Sequence, residues 1–173
     1  CNESGYYAFY ESDRYGFNNP DIEWDQNNIE FLLLGDSYVH GHCVNRPNDI
    51  ASVLRTLSNK SILNLGYSGT GPLIQFATLR EYLNSNVKKV LWIYFEGNDL
   101  DGLISERDDS ILKKYLNNSK FTQNLKFKQN EIDEFLKKVI VIAEEREEKI
   151  IRSKLKEFIK INNTRKLFHF KKA

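Results

Sequence analysis

Residues 29–37 read Ile-Glu-Phe-Leu-Leu-Leu-Gly-Asp-Ser, an apolar run that ends at a glycine and two polar residues. Two later runs end in a similar way: Ser61–Leu65 is closed by Gly66, and Val87–Phe95 is followed by Gly97. Short and nearly continuous apolar runs are typical of strands in a parallel sheet, where both faces are covered. We therefore predict three strands, at Ile29–Leu34, Ser61–Leu65 and Val87–Phe95.

Helical patterns separate these strands. Apolar residues recur at positions 50, 53, 54 and 57, and again at 73, 76, 79 and 83, which is the spacing of one helix face. Pro72 suits the first turn of the second helix. The order strand, helix, strand, helix, strand predicts an α/β fold, a three-layer α/β/α sandwich with a parallel sheet.

The rest of the chain differs in character. Residues 1–28 are rich in Tyr, Asn and Asp, and we expect an ordered, irregular segment before a core at 29–105. Residues 106–173 are charged and predict a helical extension, with helices at 110–116 and 130–161, which we expect to be incomplete. A charge run at 144–149 interrupts the apolar stripe of the second helix. That helix is either a solvated surface helix or one that docks onto a further part of the protein or a partner.

Composition limits the classes of function. The chain has 173 residues, 40% of them hydrophobic, and a formal net charge of +1, which gives no reason to expect binding to nucleic acid or an anionic membrane. No apolar run is long enough to span a bilayer. Because the chain contains no Met, we expect a processed or cut N-terminus, and a signal peptide or membrane anchor could have preceded Cys1.

The two cysteines allow three interpretations. Cys1 and Cys43 could be free thiols, or they could form a disulfide, which would require an oxidising compartment. Alternatively, Cys1 could be the lipidated first residue of a bacterial lipoprotein. With His40 and His42 they lack the Cys-x-x-Cys spacing of a structural zinc site, and we expect no metal and no cofactor.

Polar turns follow all three predicted strands. They are Gly35-Asp36-Ser37, Gly66-Tyr67-Ser68-Gly69 and Gly97-Asn98-Asp99. In a parallel sheet the carboxyl ends of the strands meet at one edge, so these turns should converge there. This convergence is the strongest indication of a functional site in the sequence.

The ordered set of turns resembles the SGNH/GDSL hydrolase superfamily over roughly residues 30–100. The resemblance implies that Ser37 is the nucleophile of a serine esterase or O-acyltransferase, acting through an acyl-Ser37 intermediate. It also implies an oxyanion hole made of the Ser37 N–H, the Gly69 N–H and the side-chain amide of Asn98, with Asp36 and Asp99 holding turns. Three fixed donors of this kind are what acyl transfer requires.

A wider pattern covers residues 12–20, the nucleophile segment and residues 92–100. It is similar to bacterial members of the same superfamily that are associated with surface-polysaccharide modification. That resemblance implies an acylated carbohydrate or small molecule as substrate and an exported, periplasmic or cell-envelope location. The superfamily's fourth motif, Asp-x-x-His, is absent: His40 and His42 follow the nucleophile, and position 166, three residues before His169, is Lys. We expect the chain to stop before that motif and to be weakly active or inactive. The alternatives are an inactive carbohydrate-binding or assembly module and a cytoplasmic small-molecule esterase.

Overall fold

The computed structural model describes the backbone of residues 7–169 and the side chains of residues 7–154. Its strands are β1 (Ile29–Leu34), β2 (Ser61–Asn64) and β3 (Val87–Trp92). Its helices are α1 (Ser37–His40), α2 (Ile50–Ser58), α3 (Pro72–Tyr82), α4 (Asp99–Glu106), α5 (Ser110–Asn117) and α6 (Gln129–His169), and two short 3₁₀ helices lie at Asp21–Asp25 and Leu125–Lys128. Within the described residues, no helix is both long and apolar enough to cross a lipid bilayer.

The sheet has three parallel strands in the order β2-β1-β3. Leu32 of β1 lies opposite Leu63 of β2 on one side and Val90 of β3 on the other. The α/β class, the parallel sheet and the long C-terminal helix predicted from the sequence are therefore confirmed. β2 and β3 are shorter than predicted, since β2 ends at Asn64 and β3 ends at Trp92.

The core is built around β1, whose apolar side chains are buried on both faces. Leu33 packs in a cluster with Val39, Ala51 and Ile62. Leu32 and Leu34 belong to a second cluster, which is completed by Phe17, Trp24, Ile29, Leu63, Leu65 and Tyr82. Burial on both faces explains why the run Ile29–Leu34 is nearly continuous in apolar residues.

The chain divides into two units, with the boundary between Lys126 and Phe127. In the first unit, α4 and α5 pack against α3. The second unit consists mainly of α6, whose described side chains are exposed except for the half-buried Gln129 and Ile132. The sequence placed the start of the helical extension at residue 106, earlier than this boundary.

Candidate functional site

The three polar turns meet at the carboxyl edge of the sheet. The N–H of Tyr67, in the turn after β2, donates to the carbonyl oxygen of Gly35 at 3.2 Å. The side-chain amide of Asn98, in the turn after β3, donates to Oδ2 of Asp36 at 3.2 Å. Hydrogen bonds therefore tie the second and third turns directly to the segment that carries Ser37.

Ser37 is the first residue of the short helix α1. Asp36 caps this helix, since its Oδ1 accepts from the N–H of Tyr38 at 3.0 Å. Gly35 lets the turn pack closely, because a Cβ at this position would lie 2.4 Å from Cγ2 of Val39. Ser37 is half-buried, and neither its hydroxyl nor its backbone N–H bonds to another described residue.

The turn after β2 presents Gly69. Its φ of +78° lies in the left-handed region that favours glycine, and Thr70 closes the turn by donating from Oγ1 to the carbonyl of Tyr67 at 2.7 Å. The N–H of Gly66 is engaged with Oδ1 of Asn64 at 2.8 Å. The N–H of Gly69 has no acceptor among the described residues, so it is free to bind a ligand.

Asn98 sits at the start of α4. Its neighbour Asp99 is buried, and Oδ2 of Asp99 accepts from the N–H of Phe95 at 2.6 Å, which fixes the turn. One amide hydrogen of Asn98 is used by Asp36, and the other has no acceptor in the described part of the chain.

Glu106, at the other end of α4, holds that helix against α3. Its carboxylate accepts from the N–H groups of Gly71 at 2.6 Å, Leu73 at 2.9 Å and Ile74 at 3.2 Å, all in the first turn of α3. No motif in the sequence marks Glu106. The signal was indirect: Gly71 has no side chain with which to cap α3, so the free N–H groups of that helix need an acceptor from elsewhere.

Two cavities border these turns. One, of about 170 Å³, is lined by Asp36, Gly69, Asn98 and Glu106 among others. The other, of about 410 Å³, is lined by residues including Ser37, Tyr38 and His42. Two of the expected oxyanion donors therefore share the smaller cavity, whereas Ser37 lines the larger one.

The described histidines do not bond to Ser37. His40 is buried, and its Nδ1 lies 3.0 Å from Oγ of Ser68 instead. Burial, together with the nearby His42, lowers the pKa of His40 and favours its neutral form. His42 is exposed and lines the same cavity as Ser37. The side chain of His169 lies outside the described residues.

The possible disulfide between Cys1 and Cys43 involves the N-terminus. Cys43 is not a free thiol in the structure, but Cys1 lies outside the described residues, and their pairing stays a prediction. Among the side chains that the structure describes, no group of three His, Cys, Asp or Glu residues could hold a metal ion.

Comparison of this chain with models of protein families, with curated proteins and with solved structures finds no match.

Proposed function

We propose that the chain is a serine esterase or O-acyltransferase of SGNH/GDSL type that acts through an acyl-Ser37 intermediate. Its proposed substrates are acyl esters, with acylated carbohydrate as the preferred class. The proposal includes a three-layer arrangement of helices around the sheet and an exported, cell-envelope location. It rests on the residues of the site, since fold alone does not define function.

One observation carries the proposal: three donors that have no acceptor among the described residues lie on the joined turns. They are the N–H of Ser37, the N–H of Gly69 and one amide hydrogen of Asn98. Fixed donors stabilise the negative oxygen of a tetrahedral intermediate, and this stabilisation commonly accelerates acyl transfer more than any other single effect.

The reaction would begin with attack of Ser37 Oγ on the ester carbonyl carbon. The carbonyl oxygen becomes an oxyanion on the three donors, the ester C–O bond breaks, and the alcohol leaves with a proton. Water or an acceptor hydroxyl then attacks the acyl-Ser37 ester and releases Ser37. Both halves need a general base. Among the described side chains we propose His42 for this role, because it lines the same cavity as Ser37.

Exposed aromatic rings beside Ser37 support a carbohydrate substrate. Tyr38 and Phe95 contact each other with ring centroids 5.0 Å apart, and both are more than a third exposed. An aromatic ring offers a flat apolar face with little conformational entropy to lose, which suits the apolar face of a sugar ring.

Labelling with a fluorophosphonate, followed by peptide mass spectrometry, tests the proposal. We expect the label on Ser37, loss of that label in Ser37→Ala, and no change in Ser85→Ala, which removes an exposed serine as a matched control. Asn98→Ala should slow the labelling of Ser37 by about 100-fold, the usual effect of losing one oxyanion donor. His42→Ala should slow it as well. Absence of label on Ser37 in the folded protein would refute the enzyme proposal.

A non-catalytic binding module is the second candidate, favoured by the absence of any described base bonded to Ser37. Such a module should bind an acetylated oligosaccharide saturably in calorimetry, and Tyr38→Ala should weaken that binding, while Ser37 takes no label. Labelling of Ser37 together with ester turnover would reject it.

A further inference from the structure

A second serine at this edge of the sheet lies beside an imidazole. Oγ of Ser68, in the turn after β2, is 3.0 Å from Nδ1 of His40. His40 is only 3% exposed, whereas Ser68 is half-buried and can be reached from solvent. A hydroxyl within hydrogen-bond reach of an imidazole is the arrangement that activates a serine nucleophile.

Aromatic side chains hold the His40 ring in place. Tyr67 stacks on it with centroids 5.3 Å apart and an interplanar angle of 24°, and Tyr10 meets it edge-on at 4.8 Å and 85°. These two residues and His42, at 5.9 Å, are the titratable groups whose rings contact it. The ring orientation that a carboxylate fixes in many hydrolases is set here by the two tyrosines.

The neutral His40 ring can carry its single proton on either nitrogen. Nε2 is buried and has no hydrogen-bond partner in the described structure. Burial lowers the pKa of His40, so the imidazole carries a single proton at neutral pH. With that proton on Nε2, the lone pair of Nδ1 faces the Ser68 hydroxyl and can accept its proton.

We propose that Ser68 is a second reactive serine, with His40 as its general base, and that it accepts acyl or phosphonyl groups from activated esters. With a fluorophosphonate, Ser68 Oγ forms a bond to phosphorus, the P–F bond breaks and fluoride leaves. The hydroxyl proton passes to Nδ1 of His40. The N–H groups of Ser68 and Gly69 have no acceptor among the described residues and can donate hydrogen bonds to the developing negative oxygen.

This inference does not depend on the proposed role of Ser37. Among the described side chains, no imidazole is bonded to the Ser37 hydroxyl, whereas His40 lies beside the Ser68 hydroxyl. The two proposals therefore predict labels on different peptides, and either can fail while the other stands.

The experiment uses diisopropyl fluorophosphate on the intact protein and on four variants, with the labelled serine assigned by peptide mass spectrometry. Ser68→Ala should lose the Ser68 label, and Ser37→Ala and Ser85→Ala should keep it. His40→Gln should slow labelling of Ser68 by about 100-fold, the usual contribution of a general base. Circular dichroism confirms that each variant is folded.

The pH profile keeps the test decisive if His40→Gln does not fold. The labelling rate of Ser68 in the unaltered protein should rise as His40 loses its proton, with a midpoint below 6.5, because burial lowers the pKa of His40. A label confined to Ser37 would overturn the proposal. So would a Ser68 rate that does not fall at any pH below 6.5 at which circular dichroism shows the protein folded.

Discussion

A single side chain, Asn19, covers part of the outer edge of β2. Its Oδ1 accepts from the N–H of Asn64 and its Nδ2 donates to the carbonyl of Asn64, both at 2.8 Å. The same amide also bonds to Asp13 at 2.8 Å and to Arg55 at 2.7 Å. Asn19 is 1% exposed, so all of these bonds lie away from water and none is replaced easily.

Asn19→Ala should lower the free energy of unfolding by about 3 kcal/mol, since each buried polar group left without a partner costs roughly 1–3 kcal/mol. Urea denaturation measures the change through the midpoint, with the slope unaltered. Asn117→Ala, which removes an exposed amide from α5, is the matched control and should change stability by less than about 0.5 kcal/mol. Equal effects of the two substitutions would contradict the role given to Asn19.

The sequence predicts that the polar turns converge at one edge of the sheet, but it does not predict which distant side chains hold the fold together there. Ser37, Gly69 and Asn98 follow apolar runs, and strand ends converge by the geometry of a parallel sheet. Asn19 bonds to Asn64, which lies 45 positions later in the sequence. Glu106 bonds to Gly71, which lies 35 positions earlier. Such distant side-chain contacts leave no periodic or local signal, because they depend on how the elements pack.

At the scale of elements, α3 organises α5 and the loop behind it through two adjacent residues. Arg80 donates to the carbonyls of Tyr115, Asn118, Ser119 and Phe121. Glu81 is buried and accepts hydrogen bonds from Tyr115, Thr122, Gln123 and Leu125. Arg80 satisfies carbonyls at the end of α5, and Glu81 satisfies N–H groups of the loop. The two side chains thus supply hydrogen bonds that these backbone groups do not obtain from a helix or a strand.

Acid should weaken the protein in part through Glu81. Burial raises the pKa of this carboxyl, but its hydrogen bonds lower it by more, and the net pKa lies below the ordinary value of 4.5. A carboxyl with a lowered folded pKa contributes stability above its unfolded pKa, and that stability is lost as the pH falls through the folded pKa. The free energy of unfolding should therefore decrease with acidification below about pH 4.5.

Chemical denaturation at a series of pH values measures this effect. Glu81→Gln should be less stable than the parent at neutral pH and should lose less stability on acidification. Glu96→Gln, which neutralises an exposed carboxylate in the first unit, should follow the parent. A Glu81→Gln profile parallel to that of the parent would show that Glu81 does not couple folding to pH.

The helix α4 was absent from the sequence-based prediction, and its packing explains why. It contains Gly102, which is unfavourable inside a helix. In the structure this glycine allows close contact, because a Cβ on Gly102 would lie 2.8 Å from Cα of Gly71. Glu106 then adds the hydrogen bonds to α3. Tertiary contact, which the local sequence does not record, outweighs the local preference.

At the scale of the whole molecule, the two edges of the sheet differ in how far they are covered. On the outer side of β2, the backbone N–H of Ile62 donates to Glu23 and its carbonyl accepts from Arg55. The backbone of Asn64 is bonded to the side chain of Asn19. Side chains therefore satisfy backbone hydrogen-bonding groups at this edge. β3 forms the other edge of the described sheet, and its residues 90–92 are 38–43% exposed. The apolar run that predicted a covered strand thus lies on an open edge.

An open and apolar edge strand is prone to pair with another strand. In a purified sample, that other strand would be β3 of a second molecule of the same protein. We expect the protein to associate as its concentration rises, and Leu91→Lys to shift sedimentation velocity profiles toward the monomer. Lysine on an edge strand opposes pairing by its charge and hydration. Leu57→Lys is the matched control, because Leu57 is exposed on α2, and it should leave the association unchanged. If the parent protein sediments as a monomer at every concentration, or if both variants reduce association equally, β3 is not the surface responsible.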